Sequence, residues 1–268
     1  MPLEAVFVRD GDRYLATELA RGPWDPGAQH GGAPAALLAR ALGRWSLNPA
    51  LRLARITYEF VRPVPLGELS VGVEVVRPGR RVTLLDASLL DAEGIQVVRA
   101  RALLVRPSEL GSPSGSAPPF PGPDAGRAND WVAAGSRAGG GGGGDLMFAS
   151  HAMEIRFVEG TFREPGPATA WFRLRQPLIA GEPTGPLERV AAAADFGNGI
   201  ASVLTWEDHV FINPDLTLYL EREPEGEWVA LQSEMRVARG SVAVAESALW
   251  DQQGRIGRAT QALLVSRR

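Results

Sequence analysis

The chain has 268 residues, 45% of them apolar, so it can bury a full hydrophobic core in one large domain or in two of ordinary size. Its 28 basic and 31 acidic residues give a net charge of −3, which excludes the strong positive field that holds nucleic acid or an anionic membrane. The chain contains no Cys, which excludes disulfides, thiolate zinc sites and a cysteine nucleophile.

The N-terminus lacks the pattern of a secretory signal. Glu4 and Asp10 interrupt the stretch where a signal peptide needs a continuous apolar run. No run of about 18 apolar residues follows later in the chain. We therefore expect a cytoplasmic protein without a membrane segment.

The first hundred residues predict one helix among several strands. The alanine- and leucine-rich segment 33–45 predicts a helix in which Pro34 occupies the first turn, where a missing N–H costs nothing. Alternating apolar residues with β-branched side chains predict the strands. These strands lie at 51–62, 66–77, 81–90 and 95–106, and short strands within 5–19 precede the helix.

Residues 107–145 have the composition of a linker, rich in Pro, Gly and Ser, with six consecutive glycines from Gly139 to Gly144. The glycine run matches a dinucleotide-binding pattern only formally, because it neither follows a strand nor opens a helix. This composition divides the chain into an N-terminal unit, 1–106, and a C-terminal unit, 146–268.

The C-terminal unit repeats the pattern of the N-terminal one. Residues 64–105 align with residues 223–265 at an offset of 159 or 160, and both segments end in ALLV, which we interpret as an internal duplication. A second helix is predicted at about 184–196. The strands of this unit are predicted at 210–222, 227–238, 241–250 and 255–266, and short strands within 153–178 precede the helix.

The first predicted helix opens on His30, Gly31 and Gly32. A helix N-terminus leaves up to four backbone N–H groups unpaired and carries a partial positive charge. Glycine lacks a β-carbon, so a ligand carbonyl can approach these N–H groups, which would stabilise an oxyanion. The alternative is that the two glycines only turn the chain into the helix and that His30 is a hydrogen-bonding turn residue.

The second predicted helix ends its alanine run at Asp195. Burial and a helix C-terminus both disfavour a charged carboxylate, which suits a general base, although Asp195 could instead cap the following turn. Gln261, aligned with Arg101 of the first repeat, and Asn213, at the start of a strand, offer amide groups. If the two helices face each other, these three side chains can hold one water opposite the first helix N-terminus.

Four segments resemble the TesB-type acyl-CoA thioesterase II group of the hotdog superfamily: QHGGAPAALLARAL, AAAADFGNG, FINPDLTLYLER and GRATQALLV. The resemblance spans nearly all of the chain except the linker. It implies an α+β double hotdog, in which each of two tandem repeats has a long central helix wrapped by an antiparallel β-sheet.

The resemblance also implies roles for the candidate residues. The family activates water with an Asp on the second helix, a hydroxyl on the following strand and a Gln on the last strand, and Asp195 and Gln261 match this pattern. Asn213 stands where the family has Thr or a similar hydroxyl. The QHGG opening, which contains His30, looks like the region that holds the thioester carbonyl.

The implied reaction is hydrolysis of acyl-CoA to free acid and CoA by direct attack of water, without an acyl-enzyme. The sequence has no G-x-S-x-G segment, and the segment around Asp195 lacks the His that a hotdog hydratase would need. We expect neither a metal nor another cofactor, because His30, His151 and His209 have no metal-ligand spacing.

Several alternatives stay open. The same fold could act on acyl-carrier-protein thioesters, catalyse a dehydration, or bind acyl-CoA as a sensor without turnover. We expect acyl-CoA as partner and a homo-oligomer, since the flat faces and edges of such sheets suit pairing. Aromatic side chains near the predicted pocket either wall an acyl tunnel or simply fill the core. They are Trp24, Phe148, Phe196, Trp206 and Phe211.

Overall fold

A computed structural model describes residues 4–45, 50–108, 120–129, 146–239 and 242–268. Most of the predicted linker, including its glycine run, lies outside the described residues. Its middle part packs on the C-terminal half, where the ring of Phe120 stacks on Trp250 with the centroids 4.3 Å apart.

The N-terminal half contains one helix among strands, as the alternation of apolar residues predicts. The short strands predicted within 5–19 form a hairpin joined at Gly11, whose φ of 58° favours glycine. The elements are β1 (Phe7–Asp10), β2 (Arg13–Ala16), α1 (Gly32–Arg44), β3 (Arg52–Phe60), β4 (Glu68–Arg77), β5 (Val82–Leu90) and β6 (Gln96–Val105).

The C-terminal half has the same plan with additions. A π-helical turn at Phe148–Ala152 precedes its first long strand, and the predicted strand at 210–222 is interrupted at Asn213 and Pro214. Its elements are β7 (Arg127–Ala128), β8 (Met153–Glu159), β9 (Ala168–Leu174), α2 (Pro186–Ala194), α3 (Gly197–Ile200), β10 (His209–Ile212), β11 (Asp215–Leu220), β12 (Val229–Val237), β13 (Ala243–Asp251) and β14 (Gly254–Arg267).

The two main helices differ in length. α1 has 13 residues and matches the predicted helix, whereas α2 has nine and ends before the predicted boundary. The N–H of Phe196 bonds to the carbonyl of Ala193 at 3.0 Å, a tighter turn that closes the helix. The expectation of one long helix at 184–196 is therefore replaced by α2 followed by the separate four-residue α3.

All named strands join one antiparallel sheet in which the two halves mirror each other. From the centre outward, the N-terminal half runs β3, β6, β5, β4, β2, β1, and the C-terminal half runs β11, β14, β13, β12, β9, β8. The halves join where β3 pairs with β11, and Thr57 lies opposite Thr217 at this join. The topology thus has the pseudo-two-fold symmetry that the sequence duplication predicts.

The strand register corrects one detail of the sequence alignment. The two central threonines pair with Arg101 on one side and with Thr260 on the other, so Thr260 is the counterpart of Arg101. Gln261 is the counterpart of Ala102. Because a shift of one residue moves a side chain to the opposite face of a sheet, Arg101 pairs with Asp86 while Gln261 points inward and is buried.

The helices lie in the core against this sheet. α1 packs on β3 to β6, and α2 packs on β9, β11 and β12. The two helices run antiparallel and contact each other through small residues. A β-carbon on Gly32, for example, would lie only 2.5 Å from the carbonyl oxygen of Ala192. This close approach brings the N-terminus of α1 beside the C-terminus of α2.

The other end of the helix pair is filled by ion pairs. Arg40 of α1 is buried and bonds to Glu188 at 2.7 Å and to Glu182. Arg44 lies 3.1 Å from the same Glu182 carboxylate. The pseudo-symmetry therefore relates an end occupied by ion pairs to the end that carries Gly31 and Asp195.

Candidate active site

Gly31 and Asp195 meet where the two helices come together. A β-carbon on Gly31 would lie 2.8 Å from Asp195 Oδ2 and 3.0 Å from the ring of Phe60. This contact leaves no room for a thioester between the two residues. Gly31 and Asp195 instead lie side by side in the lining of one cavity.

The two oxygens of the buried Asp195 carboxylate have different neighbours. Oδ1 accepts hydrogen bonds from Asn213 Nδ2 at 2.8 Å and Gln261 Nε2 at 3.3 Å. Oδ2 lies 3.0 Å from Nδ1 of His30. Because the amides occupy Oδ1, they hold the carboxylate with Oδ2 toward His30 and Gly31. Asn213 and Gln261, predicted to hold water, thus contact the carboxylate itself.

His30 is held at the centre of the site by its ring. The ring stacks on Phe196 with centroids 4.3 Å apart and tilts against Phe148 at 5.2 Å. The N–H of Gly32 points at the same Nδ1, at 3.1 Å. One ring nitrogen cannot accept from Gly32 and donate to Asp195 at once. Nδ1 accepts from Gly32 in the tautomer that carries its proton on Nε2, and it donates to Asp195 in the tautomer that carries its proton on Nδ1.

The two predicted oxyanion glycines differ in their surroundings. The N–H of Gly32 faces His30, and its α-carbon is pressed against α2. Gly31 lines the cavity, and within the described chain its N–H has no hydrogen-bond partner. Of the two N–H groups, the one at Gly31 is therefore available for a further hydrogen bond.

A buried amide network orients Gln261. The N–H of Asn198 donates to Gln261 Oε1 at 3.1 Å, which turns the Nε2 group toward Asp195. The Asn198 side chain donates to the carbonyl of Phe211 at 3.3 Å. Asn198 is a site residue that was not among the predicted ones, and its place three residues after Asp195 is the sequence signal that could have identified it.

Asp215 supports the same region from the next strand. Its carbonyl accepts from Asn213 Nδ2 at 3.0 Å, and its carboxylate accepts the N–H of Ala262 at 2.7 Å. Burial raises the pKa of the Asp215 carboxyl, and the Ala262 hydrogen bond opposes this rise. Asp215 thus ties the turn that carries Asn213 to the strand that carries Gln261.

A cavity of about 330 Å³ opens beside these groups. His30, Gly31, Asp195 and Asn213 line it together with many apolar side chains. The exposed lining residues include Val61, Arg62 and Ile212, which places the entrance between the ends of β3 and β10. Of the predicted aromatics, the ones that line the cavity are Trp24, Phe196 and Trp206, while Phe148 and Phe211 pack behind them.

Comparison with known families decides the identity. The profile of the acyl-CoA thioesterase N-terminal domain matches residues 20–105, and that of the acyl-CoA thioesterase C-terminal domain matches residues 114–265. The chain belongs to the acyl-CoA thioesterase family. Membership of this family makes the protein a thioester hydrolase, and the resemblance inferred from its sequence is confirmed.

Solved structures share the fold of this thioesterase at low sequence identity. A protein assigned as a thioesterase from Novosphingobium aromaticivorans is 22% identical, with a TM-score of 0.70 and coverage of 98% of each chain. A hotdog-fold protein of unknown function from Alicyclobacillus acidocaldarius is 15% identical, with a TM-score of 0.71 over 99% of this chain and 97% of the other. An acyl-CoA thioesterase II from Mycobacterium marinum is 16% identical, with a TM-score of 0.64 over 97% and 94%.

No curated protein matches this thioesterase significantly. Among the residues that the structure describes, no helix is both long and apolar enough to cross a bilayer. Within the same residues, no group of three or more His, Cys, Asp or Glu side chains is arranged to hold a metal ion.

Proposed function

We propose that the protein hydrolyses acyl-CoA to a free acid and CoA, with water as the nucleophile and Asp195 as the general base. The observation that carries this proposal is the buried carboxylate of Asp195, fixed by two amides and set beside a helix N-terminus at the wall of a cavity. A base held in this way is positioned before substrate binds, which lowers the cost of reaching the transition state.

In the first step, Asp195 takes a proton from water while the water oxygen bonds to the thioester carbon. Oδ2 is the oxygen for this role, since Oδ1 already accepts from Asn213 and Gln261. In the tautomer that carries its proton on Nδ1, His30 donates to Oδ2 across 3.0 Å. The product of this step is a tetrahedral intermediate with a negative oxygen.

The negative oxygen of the intermediate is stabilised by the N–H of Gly31 and by the positive end of α1. The intermediate then collapses, the carbon–sulfur bond breaks, and the proton held by Asp195 passes to the departing sulfur. The products are the free acid and CoA as a thiol, so no covalent enzyme intermediate forms. Neither a metal nor another cofactor takes part in these reaction steps.

The same proposal covers the two units of the chain, its location and its assembly. The chain is a double hotdog with units 1–106 and 146–268, acting in the cytoplasm on lipid-derived thioesters. Exposed apolar side chains on β13 and β14, Val244 at 40% and Leu264 at 63%, support association into a homo-oligomer.

The experiment that tests the function is a thiol-release assay with purified protein and a series of acyl-CoA esters. We expect one free thiol for each acid formed, without added metal. A protein that binds these esters but releases no thiol would instead be a sensor. Release only from acyl-carrier-protein thioesters would reassign the substrate carrier.

A further inference from the structure

Gly199 lines the cavity one helical turn beyond Asp195. It lies in α3, four residues further along the chain, after the tight turn at Asp195 and Phe196 that closes α2. Residues in α-helical or tighter helical turns advance about 1.5–2 Å each, so four of them advance roughly 6–8 Å, which about five or six bonded carbon atoms span. Both residues line the same cavity, so an acyl chain that ran from Asp195 along this segment would reach Gly199 once it was about five or six carbon atoms long.

Two aromatic rings flank the position that a side chain would take at Gly199. A β-carbon there would lie 3.7 Å from the Trp206 ring and 3.8 Å from the Phe162 ring. These are ordinary contact distances, so alanine fits the backbone, and its methyl group would project between the two rings. The absence of a side chain at this position keeps that part of the cavity open.

The aromatic wall behind this space is more than one ring deep. Trp206 stacks on Trp24 with centroids 5.1 Å apart and an angle of 17° between the rings. Phe211 packs edge-on against Trp206 at 4.6 Å and against Trp24 at 5.3 Å. An acyl chain that passes Gly199 therefore meets a packed aromatic cluster.

We propose that Gly199 and Trp206 set the length of the acyl group and that the substrates are compact acyl-CoA esters, of short-chain or aryl acids, rather than long fatty acyl esters. This inference rests on the proposed function and names its substrate class. Gly199 admits the chain, and Trp206 stops it. The cavity volume of about 330 Å³ lies at the lower end of the range for ligand pockets.

The test compares acetyl-, butyryl-, hexanoyl-, octanoyl-, phenylacetyl- and palmitoyl-CoA on the wild type, Gly199→Ala and Trp206→Leu. The wild type should prefer butyryl-, hexanoyl- and phenylacetyl-CoA. Gly199→Ala should lower kcat/KM for hexanoyl- and phenylacetyl-CoA by about tenfold, the effect of one misplaced methyl-sized group in an apolar pocket. Acetyl-CoA should be hydrolysed nearly as before. Trp206→Leu should shift the preference toward octanoyl-CoA.

Gly43→Ala is the matched control. Gly43 lies in α1, and an added methyl there would meet only the end of the Leu187 side chain at 3.4 Å, away from the cavity. The chain-length profile should be unchanged in this variant. An unchanged profile in Gly199→Ala, or a wild type that prefers palmitoyl-CoA, overturns the inference.

Calorimetric titration of the same esters into Asp195→Asn, with and without Gly199→Ala, reports the size of the pocket independently of turnover. If the wild type hydrolyses none of the esters, the proposed function fails. The affinities still decide the inference: weaker binding of hexanoyl-CoA caused by Gly199→Ala supports it, and equal binding contradicts it.

Discussion

Replacing Asp195 by Asn should lower kcat for acyl-CoA hydrolysis by about 10²- to 10⁴-fold, the range expected for loss of a general base. Asn has the same shape, and its oxygen can still accept from Asn213 and Gln261. Its other group is an NH₂, which cannot take a proton from water. The cavity keeps its shape, and no substrate-binding contact is removed. The dissociation constant for acyl-CoA should therefore stay within about twofold of the wild type.

The measurement pairs steady-state thiol release with calorimetric titration of the ester. Asp86→Asn is the control, since Asp86 is also a largely buried carboxylate but bonds to Arg101 on the other face of the sheet. That variant should keep the wild-type kcat. If Asp195→Asn retained full turnover, Asp195 would not be the base.

Adding a methyl group at Gly31 should separate catalysis from folding. The backbone of Gly31 is already helical, with a φ of −57°, so alanine causes no conformational strain. Its methyl group would collide with the ends of two side chains, the Asp195 carboxylate and the Phe60 ring. Because these ends can move, Gly31→Ala should fold, but with Asp195 displaced and kcat/KM reduced by about 10²-fold.

The neighbouring Gly32→Ala should have a different effect. Its methyl group would collide with the backbone carbonyl of Ala192, so α1 and α2 would have to separate. We expect a loss of stability of about 1–3 kcal/mol, as for other overpacked cores. Urea denaturation and thiol release measured on both variants distinguish the two effects. Equal loss of stability in the two variants would contradict this assignment.

The sequence predicts the helix starts and most of the strands because these depend on local pattern. Pro34 marks the first turn of α1, and alternation marks the strands of both halves. The end of α2 differs from the prediction by two residues, at the turn where the Phe196 ring packs on His30 and Phe172, which are distant in the chain. The alignment of Gln261 with Arg101 was wrong by one residue, since the two repeats differ by an insertion that only the strand register locates.

The candidate site was predictable as residue types but not as geometry. His30, Gly31, Asp195, Asn213 and Gln261 do lie together. The sequence could not show that the amides bond to the carboxylate itself or that Asn198 orients Gln261. Such hydrogen bonds join residues far apart in the chain, so they follow from the packing of the helices on the sheet and not from spacing.

The most direct test of the mechanism is a single turnover of acyl-CoA, with enzyme in excess, in water enriched in the heavy oxygen isotope. If Asp195 acts as a base on water, each molecule of product acid should carry one heavy oxygen after this first turnover, and the peptide containing Asp195 should remain unlabelled. Unlabelled acid together with heavy oxygen in the Asp195 carboxylate would show that Asp195 attacks the thioester itself, and would contradict the account.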